Sequence, residues 1–491
     1  MKSQRRQPVE RGSGAAPLRS ARRNPTPAEA ALLRDLRSGL AAEQVLTAPE
    51  DLVCYGFDAA ADSVPGRPVA VVFPRTTAEV SHVVQAAARS HRPIFTRGAG
   101  TNLSGGSTPT DGGIVLCLLE MHEILEIDTV NLTATVQPGV IIKELDDAAA
   151  ARGLMYPPDP GSVATATMGG SVAECAGGLR GLKYGVTKDY VTGLEVVLAD
   201  GRVLRAGGKT VKNVTGYDLV KLMVGSEGTL GVITEIVVRL RPRPEAMRSM
   251  VAYFDSQRAA ADTAIAIVGA GAIPATLEFM DHTTIVAVEA YKHVGLRVEA
   301  DALLLIEVDG IPEVVAREAE TVLATCRDHG GEVREVSPGA ERDGLWTARR
   351  AALPATARLR PTTIVEDATV PRSQIAAMLE LVAEVARKHD VTISVVGHAG
   401  DGNLHPTILT DKSDPAEMER VHAAIDEIFA GALRLGGTLS GEHGIGTSKQ
   451  RYLPWEIGDV GVEISQRIKR ALDPQDLLNP GKVVTLTGSA G

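Results

Sequence analysis

Apolar positions along this chain repeat with two periods, and the places where one period gives way to the other outline its elements. Val69 to Phe73 is a short apolar run that predicts a strand. Thr76-x-x-Glu79 then opens a helix running to about Ser90, with the spacing of a capping box. Ile94 to Thr96 predicts another short strand, and strand and helix signals keep alternating to Pro242, which indicates an α/β or α+β region. Pro242 and Pro244 mark a boundary. Beyond it Ser256 to Val268 and Glu313 to His329 carry helical periodicity, while Ala302 to Val308 and Val391 to Val396 predict strands, a pattern suited to an antiparallel sheet with helices. Val460 to Leu478 is helical again and is stopped by Asn479-Pro480-Gly481-Lys482.

Four glycine-rich segments interrupt the first half. Arg97-Gly98-Ala99-Gly100-Thr101-Asn102-Leu103-Ser104-Gly105-Gly106 can turn successive N–H groups toward an anion and is a candidate pyrophosphate cradle. Its spacing is not that of a Rossmann fingerprint, since Leu103 stands where the third glycine belongs. Tyr156 to Ser162 is rigid and non-helical, and Met168 to Gly178 lets backbone pass close to a large planar ligand. Gly225 to Thr234 feeds a β-branched strand. Each segment alone is equally well read as a connecting turn, but together they converge on one bound ligand.

The second half holds the most pointed chemistry. Asp401-Gly402 predicts a two-residue type I′ turn, a register that pairs His405 with His398 and Leu404 with Ala399. The two imidazoles then share one face with Cβ atoms roughly 5 Å apart, close enough to hold one ion. Glu442, in the run Gly436 to Gly446, is the candidate third ligand, and His443 beside it is a candidate proton acceptor. Two imidazoles and a carboxylate leave coordination positions open for substrate, which favours Zn²⁺, with Mn²⁺ or Fe²⁺ as alternatives. Histidines that merely hydrogen-bond on a polar hairpin are the competing reading.

Composition narrows the partners. Hydrophobic residues make up 44% of the 491-residue chain and charged residues 23%, as in ordinary globular proteins, and the length suits roughly two to four domains. A net charge of -10 argues against nucleic acid. Cys54, Cys117, Cys175 and Cys326 are too dispersed for a disulfide framework or an iron-sulfur cluster and fit reduced, cytoplasmic thiols. No apolar stretch approaches the roughly 20 residues of a membrane span. Residues 1–24, with Arg5, Arg6, Arg11, Arg19, Arg22 and Arg23, lack the apolar core of a secretory signal and are expected to form a disordered basic tail.

From about Asp51 to Val484 the chain resembles the vanillyl-alcohol-oxidase-type FAD-linked oxidases, in the branch of glycolate oxidase FAD-binding subunits, D-lactate dehydrogenases and D-2-hydroxyglutarate dehydrogenases. Arg97 to Asn102, Gly225 to Thr234, His398 to His405 and Gly441-Glu442-His443-Gly444 carry the resemblance, in the family's order. It implies an α+β fold: a two-subdomain FAD-binding domain over 25–243, an antiparallel-sheet substrate domain covered by helices over 244–450, and a helical segment over 451–491 returning to the first domain.

The resemblance implies non-covalent FAD held by Pro74, Arg97, Gly98, Ala99, Gly100, Thr101, Asn102, Ser104, Gly105, Gly106, Pro138, Gly139, Pro158, Asp159, Gly161, Ser162, Gly169, Gly170, Ala173, Gly177, Gly178, Tyr184, Gly185, Glu227, Gly228, Val232, Ile233 and Asn479. Carried over by motif, His398, His405 and Glu442 match divalent-metal ligands, His443 the base, and Arg349 the arginine that binds the substrate carboxylate, with Arg350 as competitor. The implied reaction is oxidation of a small D-2-hydroxy acid to the 2-oxo acid, with hydride passing to flavin N5.

Two departures bear on the substrate and cofactor. Leu353 and Val365 stand where hydroxyglutarate enzymes carry a threonine and a lysine, which favours a monocarboxylate such as glycolate or D-lactate unless Arg358, Arg360 or Lys449 compensates. Cys175 replaces an asparagine common in the flavin loop. Without cluster cysteines, reduced flavin must pass electrons to a separate acceptor, an iron-sulfur partner subunit or a quinone, and any membrane contact would come through that partner. A homodimer is allowed by the resemblance but written in no residue. The alternatives are a D-2-hydroxyglutarate dehydrogenase, a non-redox transferase of the alkylglycerone-phosphate synthase type, and a non-catalytic flavoprotein subunit.

Overall fold

The computed structural model describes residues 25–486, so the basic start of the chain lies outside the described residues. Three main sheets organise the rest. A four-stranded sheet runs in the order Val45–Leu46, Ala70–Val72, Ile114–Cys117, Ile94–Arg97, and the last three strands are parallel. Parallel neighbours need a crossover, which the helix Thr77–Ser90 supplies. That helix starts where expected, with Thr76 Oγ1 accepting from Glu79 N at 3.2 Å. Glu79 accepts from Arg75 N at 2.6 Å, so the box closes one residue early.

A second sheet is antiparallel, ordered Ile124–Asp128, Thr133–Val136, Val232–Arg239, Val191–Val197, Val203–Gly207. Its core takes in Ile142, Leu145 and Ala149 of the helix Ile142–Ala150.

The third sheet has eight antiparallel strands, with Thr276–Asp281, Thr392–His398 and Asn403–Thr410 at its centre. Leu304, Ile306 and Val308 of the strand Ala302–Gly310 face a core built with four helices, Gln257–Gly269, Pro312–Asp328, Ile375–His389 and Pro415–Arg434. Leu303 and Leu305 face the opposite core, with His282–Lys292, Ala340–Arg350 and Ala352–Thr356. This is the helix-covered antiparallel sheet expected for the second half, and its period-2 alternation decides which side chains reach the site.

The chain end returns to the four-stranded sheet, where Leu478 bridges Ile94 and Leu477 joins the core. Here the structure departs from the expected helix over Val460 to Leu478. The helix spans Leu453–Leu472, broken at Gly458 (φ +67°). It ends because Asp473 accepts from the amides of Leu477 at 2.9 Å and Leu478 at 2.7 Å, drawing the chain into a turn. Buried Lys469 donates to Asp473 Oδ2 at 2.6 Å, Leu478 O at 2.7 Å and Thr229 O at 3.0 Å. Replacing Lys469 with Met leaves the Asp473 charge without its partner, and we expect a loss of about 3–5 kcal/mol in urea or thermal unfolding.

Candidate functional site

One cavity of about 540 Å³ is lined both by the glycine-rich loops of the first half and by the front face of the large sheet. The sheet contributes Val396, His398, His405 and Thr407.

The hairpin that carries the histidines corrects the expected register. His398 pairs with Asn403 and Val396 with His405, so the connection is a four-residue loop, Ala399 to Gly402. His398 O accepts from Asp401 N at 3.2 Å and from Gly402 N at 3.0 Å, Asp401 Oδ1 accepts from Asn403 N at 3.1 Å, and Gly402 sits at φ +90°. The tight turn is therefore wider than Asp-Gly alone suggests. The register moves by two residues, and an even shift keeps every side chain on its face. His398 and His405 become diagonal neighbours, their ring centroids 5.3 Å apart.

Both imidazoles aim Nε2 at Glu442. Glu442 Oε1 lies 3.6 Å from His398 Nε2 and 3.3 Å from His405 Nε2, and the three ligand atoms lie within 4.8 Å of one another. Glu278, directly opposite His398 in the neighbouring strand, meets its Nδ1 at 2.7 Å. That contact leaves Nε2 as the free ligand nitrogen, the carboxylate–histidine arrangement that metal sites use. Asp367 Oδ1 lies 3.8 Å from His405 Nδ1, beyond hydrogen-bond reach. Buried Glu442 Oε2, His405 Nδ1, Asp367 Oδ1 and His443 Nδ1 have no hydrogen-bond partner, so the donor set is incomplete and suits a divalent cation. Asp367, His405 and His443 form a second, overlapping group of metal-ligand spacing.

Charges in this cluster hold one another. Burial works against the Glu278 carboxylate, but Arg349 and His398 outweigh it and keep its pKa below the usual range. Burial likewise opposes a charged His398, yet Glu278 and Glu442 raise its pKa well above the ordinary value. Glu442 is lowered well below its ordinary range, because His398 and His405 overcome its burial. His443 differs. Burial, with His405 reinforcing it, lowers its pKa to about 4 against the pull of Asp367, so it is a neutral imidazole at physiological pH. It stacks on His405 at 5.0 Å between centroids.

Asp367 sets the loop that bears Glu442 and His443. Its Oδ2 accepts from Ser440 Oγ at 2.7 Å and from the amides of Glu442 and His443 at 2.9 Å each. Lys449 stands 3.8 Å away and donates to Leu439 O at 3.0 Å. Neither Asp367 nor Glu278 was singled out from the sequence. Each is an acid inside a β-branched or apolar stretch, which is the available signal.

Arg349 Nη2 is 2.5 Å from Glu278 Oε2, and Arg350 Nη2 is 2.8 Å from Asp159 Oδ2. Both arginines line the cavity, and Arg349 Nε and Arg350 Nη1 are buried without a partner. Leu353 and Val365 line it too, whereas Arg358, Arg360 and Lys449 do not.

At the other end, Arg97 to Asn102, Gly106, Pro138, Gly161, Ser162, Gly169, Gly170, Ala173, Glu227, Gly228 and Ile233 line the cavity as expected of cofactor contacts. The amides of Gly98, Ala99, Gly100 and Thr101 meet no acceptor among the described residues, as an anion cradle requires. A Cβ at Gly98 or Gly100 would strike Thr167 or Arg97. Ser104 and Gly105 face elsewhere: Asn102 Oδ1 takes the amides of Ser104 and Gly106, and Gly105 O accepts from Lys482.

Other expected contacts lie behind the lining. Asn479 donates to Gly106 O at 2.8 Å and Glu227 O at 2.7 Å, tying the two glycine-rich loops together. Asp159 is committed to Arg350, and Tyr184 donates to Asp309 at 2.7 Å. A Cβ at Gly177 would sit 2.7 Å from Glu442 Oε2, and one at Gly178 or Gly139 would meet backbone carbonyls. Val232 is core, while Pro74, Pro158 and Gly185 are not among the lining residues. Cys175 is also off the cavity and caps a helix at φ +56°, a conformation that suits the asparagine it replaces. Thr167, Ser171 and Glu174 line the cavity without having been expected.

Comparison with known proteins agrees with this layout. Residues 68–207 match the FAD binding domain model, and residues 243–483 the model of the C-terminal domain of FAD linked oxidases. The chain is 50% identical over 430 residues to glycolate oxidase subunit GlcD of Bacillus subtilis (strain 168), covering 87% of this chain and 91% of that one. It is 38% identical over 418 residues to a D-lactate dehydrogenase of Archaeoglobus fulgidus, covering 84% and 91%. Among solved structures, p-cresol methylhydroxylase with substrate bound aligns with a TM-score of 0.79 at 20% identity, covering 94% and 98%. Alkyldihydroxyacetonephosphate synthase aligns at 0.73 and 21%, covering 91% and 85%. The glycine-lined cavity thus sits in a fold of the vanillyl-alcohol oxidase type. The chain belongs to the FAD-linked oxidase family and is an FAD-linked oxidoreductase.

Beside Asp367, Glu366 faces a second cavity of about 320 Å³ whose lining shares Ala59, Leu103, Leu353 and Val365 with the first. Burial pushes its pKa up to about 7, although Lys449 pulls the other way. An unfolded glutamate releases its proton near 4.5, so Glu366 weakens the fold progressively between that pH and about 7. Glu366→Gln should therefore stabilise the protein at pH 8 by up to about 3 kcal/mol and change little at pH 4. Thermal unfolding at the two pH values measures the difference.

Proposed function

We propose that the protein oxidises a small D-2-hydroxy monocarboxylate, of the glycolate or D-lactate type, to its 2-oxo acid with FAD and a divalent cation. The observation that carries this reading is the convergence of His398 Nε2, His405 Nε2 and Glu442 Oε1 on the wall of the same cavity that Gly98 to Thr101 line with free amides. The relatives named glycolate oxidase and D-lactate dehydrogenase support it.

When bound, FAD takes up the hydride at its N5, and a divalent cation, with Zn²⁺ favoured by the ligand set, polarises the substrate hydroxyl. His398, His405 and Glu442 would hold the cation, with Glu278 fixing the His398 imidazole. His443, neutral at physiological pH, accepts the hydroxyl proton. Arg349, tethered to Glu278 yet with Nε unpaired, binds the substrate carboxylate, and Arg350 adds a second guanidinium to that wall. Leu353 and Val365 line the pocket with apolar side chains that offer a second carboxylate no cation. The aliphatic wall also keeps water from the reacting carbon. Electrons then leave to a separate acceptor, an iron-sulfur partner subunit or a quinone, a reading supported by the naming of the Bacillus subtilis relative as a subunit.

Mixing the FAD-loaded protein with substrate under anaerobic conditions tests the scheme. Glycolate or D-lactate should bleach the flavin faster than L-lactate or D-2-hydroxyglutarate, and complete chelation should stop the bleaching. Unchanged reduction after metal removal would take the cation out of the reaction. His443→Ala should retain FAD and slow reduction by about 10²–10⁴-fold.

A further inference from the structure

The wall between the two cavities is one residue thick, since Ala59, Leu103, Leu353 and Val365 line both. The second cavity, of about 320 Å³, is also lined by Asp62, Ala357, Pro361 and Lys412, all of them exposed, so it reaches the surface. Leu353 is itself 37% exposed while lining the first cavity.

Its lining is polar where the shared wall is apolar. The strand Thr362–Val365 ends the large sheet, and the whole of it lines this cavity, bringing an edge that has no partner strand. Glu366, only 6% exposed, lines it too, and among the described residues nothing donates to its carboxylate. A free strand edge and a buried carboxylate are both satisfied by water, which suits a solvent-filled recess rather than a dry void.

Under the proposed function FAD takes the glycine-rich part of the first cavity. The second cavity meets the remaining lining at Leu353 and Val365, so it offers His398, His405 and Glu442 an approach that does not cross the cofactor. Charge along that approach suits an anion. Exposed Lys412 donates to Ala61 O at 3.0 Å, Lys449 is buried, and Arg349 and Arg350 line the first cavity. Lys412 and Lys449 balance Asp62 and Glu366 in the lining, so an entering carboxylate meets no excess of its own sign.

We propose that the 2-hydroxy acid enters and the 2-oxo acid leaves through the second cavity, with the Leu103 and Leu353 side chains as the gate and Lys412 drawing the anion to the mouth. Leucine side chains change rotamer fast enough for such a gate to open without any movement of the sheet. The inference rests on the proposed reaction, which bleaching of the wild-type flavin by D-lactate checks separately.

Ala357 and Ala61 line the second cavity alone and are the places to block it. Oxalate, a small dianion with no hydride to give, is the binding probe, followed in FAD-loaded protein through the flavin absorbance in stopped flow. In Ala357→Trp, with FAD content and unfolding temperature checked, its association and dissociation should both slow by about tenfold, since an obstructed passage hinders entry and exit alike and leaves the dissociation constant unchanged. Reduction by D-lactate should lose its second-order rate constant in proportion and keep its limiting rate. Ala61→Trp repeats the test from another segment. Lys412→Glu leaves the passage open and should slow oxalate association about threefold at low ionic strength, an effect that salt removes. Wild-type association rates in both tryptophan variants overturn the proposal. So does a loss that falls on the dissociation constant or the limiting rate, which marks a distorted site rather than a blocked passage.

Discussion

The site depends on a buried carboxylate, Asp367, one oxygen of which is held by three donors. Placed in the core with no exposure, such a charge is tolerable only if donors surround it. It recruits the amides of Glu442 and His443, the Ser440 hydroxyl and the Lys449 ammonium. In meeting its own electrostatic need, it fixes the backbone from which Glu442 and His443 project. The same rule governs the strand Thr276–Asp281, where Glu278 is countered by Arg349 and His398. Positions that look catalytic are thus held by acids whose first task is to be neutralised.

This lattice also joins regions distant in the chain. The loop bearing His443 docks on the glycine-rich loop after Arg97 through Thr447 N and Ser448 N, which donate to Ser104 O at 2.9 and 3.1 Å. It docks on the loop after Gly225 through Glu227. Asn479 then bridges both glycine-rich loops from the chain end. The loop bearing Glu442 and His443 and the glycine-rich loops of the first half are therefore joined by short hydrogen bonds.

Much of this was legible from residue order. Period-2 runs and β-branched stretches marked the strands, and glycine-rich runs marked the cofactor end, because close approach of backbone to a ligand demands residues without a Cβ. His398, His405, Glu442 and His443 announced themselves by residue type and spacing. What could not be read was long-range. Glu278 matters only because its strand lies beside that of His398, a pairing across 120 residues. Arg349 was expected, by resemblance, to bind the substrate carboxylate, but its salt bridge to Glu278 depends on how a helix packs over the sheet. Asp473 ended the last helix through its side chain, where periodicity alone continued it.

The loop from Ala399 to Gly402 is where this hairpin can change length without losing its chemistry. Directly paired residues share a face whatever the length of the connection, so residues gained or lost between Ala399 and Gly402 can leave His405 opposite Val396, whereas a slip of the pairing itself by one residue would turn the imidazole toward the opposite core.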